Sequence, residues 1–481
     1  MYTWSIRKDR RVKLVAWVDA FRTGGALMRI VLAAAMTTGL ILATTAQGQT
    51  FSTLVNFDLT DGANPLAALV QGADGNLYGT AYLGGANDRG AVFKLTPAGV
   101  LTTYHSFDGS DGQNPAGGLV LGNSGNLLGT AYVGGAYGQD MNGYGTVFKI
   151  SPDGNFSTLQ SFNGTDGQNP EAGVALGNDG DYYGTTRLGG SNGDGAVFKI
   201  TAAGVLTTLH NFDLSDGEWP IGGLALGYDG NLYGTTYTGG ANFVGTIFRV
   251  TPSGIFTTLH NFGGADGNGS VGTLVVGNDG SLYGTTDGGG ANNYGSVFRI
   301  TPNGAFAVLH SFDGTDGDGP AGLTLGNDGN FYGTTSNGGA NNDGTIFQIT
   351  TAGDVTVLHS FDATDGMNPY SALVQRTSGI FYGTTYSGGK EGYGTIFSLN
   401  VGLEPFAALE IYSGKAGQTV GVLGEGLAGT KAVFFNGLAS KFSVISDTYL
   451  TAVVPVGATS GFVRIATPAG TLASNRKFSV R

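Results

Sequence analysis

The octapeptide Asp229-Gly-Asn-Leu-Tyr-Gly-Thr-Thr236 recurs along the chain as DGNLYGTA, SGNLLGTA, DGDYYGTT, DGSLYGTT, DGNFYGTT and SGIFYGTT. The glycine before its threonine falls at Gly79, Gly129, Gly184, Gly234, Gly284, Gly333 and Gly383. A unit of about 50 residues that holds several short strands predicts a propeller, in which each unit buries its faces against its neighbours.

One unit divides into four strands. GGLALG (222–227) is the inner strand, and the Asn/Asp-Gly chemistry of YDGN turns the chain tightly. LYGTT is the second strand, the longer loop YTGGANFVG follows, and GTIFRVT (245–251) is the third. TPSG makes a second short turn into the fourth strand, FTTLHNF (256–262). β-Branched and aromatic residues fill these runs, as suits pleated, half-buried surfaces. The ends of the array are offset. FSTLVNF (51–57) is a fourth-strand sequence with no unit before it, and TIFSLN (395–400) is a third strand with no fourth after it. The sequence therefore predicts an all-β chain, a seven-bladed β-propeller closed by the N-terminal strand, because closure removes two exposed sheet edges. Residues 403–481 lose the repeat and carry short alternating runs such as KAVFFNG, LTAVVP and GFVRIAT, the pattern of an immunoglobulin-like β-sandwich. The expected domains are a signal peptide over 1–46, a propeller over 47–402 and the sandwich over 403–481.

Glycine supplies 88 of 481 residues, but at fixed places in the repeat, so it marks turns and not disorder. The net charge of -12 opposes binding to a phosphate backbone, so no nucleic-acid partner is expected. There is no cysteine, which excludes disulfides and thiolate metal sites. IVLAAAMTTGLILATTA (30–46) is an apolar run with small residues at its exit, as in a Sec signal peptide, with Met28 as an alternative start. The expectation is a secreted, periplasmic or cell-surface protein, a monomer with no membrane span once the signal is cleaved.

The tight turns and the long loops alternate, so they lie on opposite faces of the disc, and the varied long loops are where function is expected. The five histidines, His105, His210, His260, His310 and His359, share one repeat slot and cannot converge on one metal or triad. Gly189-Gly-Ser-Asn-Gly193 and Gly424-Glu-Gly-Leu-Ala-Gly429 match a nucleophile elbow and a dinucleotide loop, but neither runs into a helix. No catalytic residue is assigned. Calcium is the one cofactor considered, with Asp108, Asp111 and Asn114 as ligands; the alternative is that these side chains make turns by bonding their own backbone. The symmetry of the long-loop face breaks at Trp219 beside Glu218, and at an insertion holding Tyr137 and Asp140. These four residues are the candidate ligand contacts, since an exposed aromatic beside polar groups can stack on a sugar.

DGNLYGTT, GGAN-x-x-GT[VI]F[KR]IT and LHSFDGTDG resemble the Gloeo_Verruco (GloVer) repeat of exported bacterial proteins. The tail resembles an IPT/TIG domain at Ser413-Gly414-Lys415-x-Gly417, Gly424-x-Gly426-Leu427, Val433-Phe434-Phe435-Asn436-Gly437 and Thr467-Pro468-x-Gly470, with Ile411 where that family has proline. The first resemblance implies a surface or secreted propeller and supplies no catalytic residues. The expected function is a non-enzymatic binding, adhesion or scaffold protein that offers the long-loop face to a glycan, cell-envelope or protein partner. The alternative is an extracellular polysaccharide lyase or hydrolase at the channel mouth. It would draw on the residues that break the repeat there, Glu171, Arg187, Glu218 and Asp287.

Overall fold

A computed structural model describes residues 48–122, 125–138 and 143–481. The expected signal peptide and Asp140 lie outside these residues. Among the described residues, no helix is long and apolar enough to cross a membrane. Gln49–Arg481 forms one compact unit.

Seven four-stranded antiparallel sheets follow one another in a ring consistent with a β-propeller, and each sheet is called a blade here. The seventh blade takes its outer strand from the start of the chain. Thr50–Asn56 pairs with Thr395–Asn400, from Thr50 opposite Asn400 to Asn56 opposite Thr395. Phe51 lies 5.5 Å from the ring of Phe397, and Phe57 is fully buried 5.3 Å from Phe93 of the first blade.

Each letter of the repeated octapeptide has a structural task. The aspartate of the turn accepts the tyrosine hydroxyl four residues on, at 2.7 Å from Tyr233 to Asp229 and 2.6 Å from Tyr183 to Asp179. The turn glycine takes a left-handed conformation (φ 81° at Gly230) that costs other residues more. The glycine after the tyrosine leaves room for a core phenylalanine, since a Cβ at Gly234 would stand 2.5 Å from Phe248. The next threonine reaches the neighbouring blade. Thr80 donates to the Gly117 carbonyl at 3.1 Å, Thr185 to Gly222 at 3.2 Å and Thr334 to Ser371 at 2.8 Å. The octapeptide is the hairpin of one blade and its tie to the next.

The inner strands are shorter than expected. GGLALG pairs only through Ala225–Leu226, and the ladder resumes at the single bridge between Glu218 and Thr238. Extra residues interrupt the strand between these points, as bulges do. The sixth blade has one residue fewer in this stretch. Its inner strand runs unbroken over Asp318–Leu325, with a register shift only between Pro320 and Gly322.

The outer strands carry the histidines. Each Nε2 lies 2.6–2.9 Å from the aspartate six residues later, as in His105–Asp111 and His310–Asp316. Four of the five rings also stack on a phenylalanine of the next blade: His105 on Phe156, His210 on Phe256, His260 on Phe306 and His359 on Phe51. The histidines thus brace the rim of the ring.

Residues from Ala408 to Val480 form two sheets packed face to face. One holds Ala408–Leu409, Thr419–Leu423, Phe442–Val444 and Tyr449–Val453, the other Ser413–Gly414, Ala432–Phe435, Leu438–Ser440, Gly461–Thr467 and Gly470–Val480. Val420, Val422, Val433, Phe435, Leu450, Val463, Ile465 and Phe478 fill the space between. This sandwich does not stand away from the ring; it sits on the tight-turn face. Ser446 and Thr448 donate to the Ala73 carbonyl at 3.3 and 2.8 Å. The side chains of Asn178 and Ser413 bond at 2.8 Å, Asn278 donates to the Asn475 carbonyl at 3.3 Å, and Asn327 donates to that of Glu404 at 2.8 Å. Thr377 donates to Glu425 at 3.1 Å, and Arg376 pairs with the same carboxylate at 3.3 Å.

The seam holds a partly buried acid. Glu410 accepts from the Tyr449 hydroxyl at 2.8 Å, and burial pushes its carboxyl up to about 6 from 4.5, with the bonds from Tyr449 and Gly421 opposing. A carboxyl whose pKa is higher in the folded state favours folding most when protonated. Its contribution is therefore full below about pH 4.5 and lost as pH rises through about 6, a change of about 2 kcal/mol. Glu410→Gln is expected to flatten this stretch of the stability profile, read from urea midpoints between about pH 4 and 7.5. An unchanged slope would show that Glu410 titrates normally.

Candidate functional site: the mouth of the channel

The inner segments of all seven blades line a central cavity of about 570 Å³. At the long-loop end, two repeat slots surround the opening. The residue after the loop proline or its equivalent is Leu66, Ala116, Glu171, Ile221, Val271, Ala321 or Tyr370. The residue two places before the paired loop glycines is Tyr82, Tyr132, Arg187, Tyr237, Asp287, Ser336 or Tyr386. Most of the departures from symmetry among the inner residues fall in these slots.

Three residues from two adjacent blades meet here, Glu171 and Arg187 from the third and Trp219 from the fourth. Arg187 Nη1 stands 3.5 Å from Glu171 Oε2, and the guanidinium lies 4.9 Å from the centre of the Trp219 ring. Burial pushes the Glu171 carboxyl up, and Arg187 draws it back. Trp219 has φ 54°, in a slot filled by Asn64, Asn114, Asn169 and Asn368 or by Gly269 and Gly319. Asparagine tolerates this left-handed conformation, and a bulky side chain pays about 1–3 kcal/mol to hold it. The asparagines also clasp the preceding blade, as Asn169 Nδ2 does at 3.0 Å from the Tyr132 carbonyl. Trp219 gives up that bond and covers the Arg187 side chain instead, a cation–π contact.

Other groups at this end are close enough to act on one another. Burial pushes the Tyr82 phenol up, with Tyr132, Glu171 and Tyr386 adding to it. The rings of Tyr370 and Tyr386 meet edge-on at 5.5 Å, and Tyr370 is 44% exposed. Burial also raises the carboxyls of Asp287 and Asp318, and the charge of Asp318 adds to the shift at Asp287. The mouth thus combines aromatic faces, the Arg187 cation and several acids around an opening.

The remaining expected residues lie elsewhere. Glu218 is raised by burial and by the neighbouring charge of Asp194. Tyr137 is 59% exposed, and among the described residues no ring contact joins it to Trp219. Asp108 accepts from the Ser110 hydroxyl at 2.7 Å and from the Ser110 and Asp111 amides, and the Ser110 hydroxyl is the chief reason its carboxyl is held low. Asp111 accepts from the Asp108 amide at 3.0 Å and meets His105 at 2.7 Å. Asn114 is 2% exposed and donates to the Tyr82 carbonyl at 2.9 Å. These three candidate calcium ligands are engaged as turn formers and an interblade tie. Among the described residues, no three acids or histidines are grouped to hold a metal ion. Tyr82, Tyr132, Tyr237, Tyr370 and Tyr386 were not singled out from the sequence. Their signal was a slot that changes identity around the ring while its flanking glycines do not.

These features define an all-β, propeller-like tandem-repeat protein with a sandwich seated on one face. The Gloeobacter/Verrucomicrobia repeat model matches residues 28–140, 136–328 and 308–421. The chain belongs to the Gloeobacter/Verrucomicrobia repeat family. No curated protein matches it. Among solved structures, it is similar to a fungal alcohol oxidase of the AA5 family in complex with copper, at 12% identity over 90% of this chain and 98% of that one, with a TM-score of 0.49. It is also similar to a gluconolactonase from Xanthomonas campestris (12% identity, 60% and 87% covered, TM-score 0.39) and to a luciferin-regenerating enzyme (12%, 61% and 93%, TM-score 0.38). At these identities and TM-scores the likenesses carry nothing about activity.

Proposed function

We propose that this is an exported, non-enzymatic glycan-binding protein, acting as a monomer at the cell surface or in the surrounding medium. On this reading the ring is a seven-bladed β-propeller closed by its first strand, and the sandwich is an immunoglobulin-like domain of the IPT/TIG type. The observation that carries the proposal is Trp219, held at φ 54° over Arg187, which in turn faces Glu171. A rigid aromatic face beside paired charged groups suits a sugar ring, which offers an apolar face and a rim of hydroxyls. A backbone strain that asparagine or glycine would relieve is retained at the opening of a cavity of ligand size.

The test is retention of the full chain on cell-envelope polysaccharides and a glycan panel, compared with Trp219→Ala. Binding is expected to weaken at least about tenfold, with the melting temperature little changed. Equal binding by both proteins would remove the proposal. The second reading, a lyase or hydrolase, is favoured by the Asp287–Asp318 pair, because raised carboxyls are suited to proton transfer. New reducing or unsaturated ends in the retained polymer would select it.

A further inference from the structure

The fourth blade concentrates a feature that is rare elsewhere in the ring. Among the described residues, the bulky apolar side chains held at positive φ are Leu59, Leu214, Trp219 and Phe243, and the last three stand in the long loops of this one blade. Phe243 has φ 59° and is 64% exposed. Its slot, four residues after the first loop glycine, holds Asp88, Asn293 or Asn342 in other blades, or Gly193 or Gly392. The polar side chains in that slot close their own loop. Asp88 accepts from the Gly84 amide at 3.0 Å, and Asn342 from that of Gly338 at 3.2 Å. Phenylalanine cannot make that bond. Leu214 repeats the case, with φ 64° in a slot where Gly109, Gly164, Gly264 and Gly314 stand. A bulky residue in this conformation is unfavourable, and so is an apolar ring left in water. Neither serves the core, because Phe243 lies outside the buried clusters on both sides of the blade. Strain kept at an exposed position points to a ligand.

These residues form a strip that starts at the mouth. A backbone bridge joins Glu218 to Thr238, so their side chains share a face one residue from Trp219. The Thr238 hydroxyl donates to the Phe243 carbonyl at 3.1 Å, and the Gly240 amide donates to the Leu214 carbonyl at 2.7 Å. Outward from the channel the order is therefore Trp219, then Glu218 and Thr238, then Leu214 and Phe243. Aromatic faces at the ends with hydrogen-bonding groups between them invert the plan of a protein-binding hot spot, whose apolar anchors sit at the centre of a polar rim. The plan matches a sugar chain, whose rings offer apolar faces and whose hydroxyls need polar partners. Charge narrows the class. The loops 213–219 and 237–245 hold Asp213, Asp216 and Glu218 and no Lys or Arg, and Arg187 already faces Glu171. An anionic polymer would be repelled along this path.

We propose that an uncharged polysaccharide chain lies across the fourth blade, from Trp219 at the mouth to Leu214 and Phe243 on its outer loops. This rests on the glycan reading of the mouth and adds the class of polymer and the path it takes.

The experiment is native electrophoresis of the full chain through gels that carry hydroxyethylcellulose, dextran or galactomannan, with alginate as the acidic counterpart. At least one uncharged polymer is expected to retard the protein, and alginate is not. Phe243→Asn is expected to weaken that retardation about tenfold and to raise the melting temperature by roughly 1–3 °C, since asparagine both tolerates the backbone and closes the loop. Leu214→Gly, again the residue that other blades use, should weaken it severalfold. Retardation that is lost in Trp219→Ala but kept in both outer variants would overturn the inference and leave the mouth as a glycan site. Retardation lost in the outer variants but kept in Trp219→Ala would overturn the reading of the mouth and keep the outer loops. A protein held by alginate alone would refute the uncharged class, and one held by none of the polymers would remove the whole path. A melting temperature unchanged in Phe243→Asn would show that no strain is stored there.

Discussion

Removal of residues 50–57 is expected to abolish cooperative folding of the ring. The strand supplies the outer edge of the seventh blade and brings Phe51 and Phe57 into two aromatic clusters. Emptying the buried Phe57 site costs about 3–5 kcal/mol, and the half-buried Phe51 and the lost ladder add to it, which approaches the whole stability of a typical domain, about 5–15 kcal/mol. Thr395–Asn400 would also be left as an unpaired edge, an invitation to aggregation. Near-ultraviolet circular dichroism and thermal scans provide the readout. Phe57→Ala is the milder companion, expected to lose about 3–5 kcal/mol while still folding. A shortened chain that melts within about 2 °C of the parent would mean that the ring does not depend on its closing strand.

Truncation after Val401 should have the second largest effect. It uncovers the apolar seam where Leu409 and Ile411 share a cluster with Val174, Leu176 and Tyr182, and where Leu423 and Tyr449 join Tyr78, Leu121 and Leu127. The ring is expected to persist, with its melting point lowered by roughly 5–10 °C and a hydrophobic dye bound where the sandwich was seated. An unchanged melting point with no dye binding would show that the two parts are energetically independent.

Much of this architecture was legible in the sequence because the repeat is strict. The position of FSTLVNF before the first unit and the absence of a strand after TIFSLN were enough to predict which segments pair. The inner strands were over-read. Alternating apolar residues in GGLALG mark one face, but they do not reveal the bulge that interrupts the ladder. The docking of the sandwich was not legible, because its contacts use turn residues and backbone carbonyls that have no pattern of their own. At the mouth, Glu171, Arg187 and Trp219 stood out singly as repeat-breaking residues. Their meeting depends on one blade bringing positions 16 residues apart together and on the next blade adding a residue 32 further on, which spacing alone does not give. Asn114 shows the converse case. Its type and spacing point to a turn or a cation ligand, and neither reveals that its side-chain amide ties two blades together.

The tight turns beneath the ring have a further consequence. A sandwich has no sevenfold symmetry, so seven near-equivalent turns would offer it seven rotational settings of nearly equal energy. The residue before each turn aspartate, or its equivalent, removes that degeneracy. It is Ala73, Asn178, Tyr228, Asn278, Asn327 or Thr377 in the six described turns, and each meets a different part of the sandwich. These positions work as an address written once around the circle. An array that grew by copying one unit has thereby acquired a single angular origin, and the side chain that marks Tyr228 as distinct from its six counterparts is the one that lies beside Tyr412 and Arg476 of the sandwich.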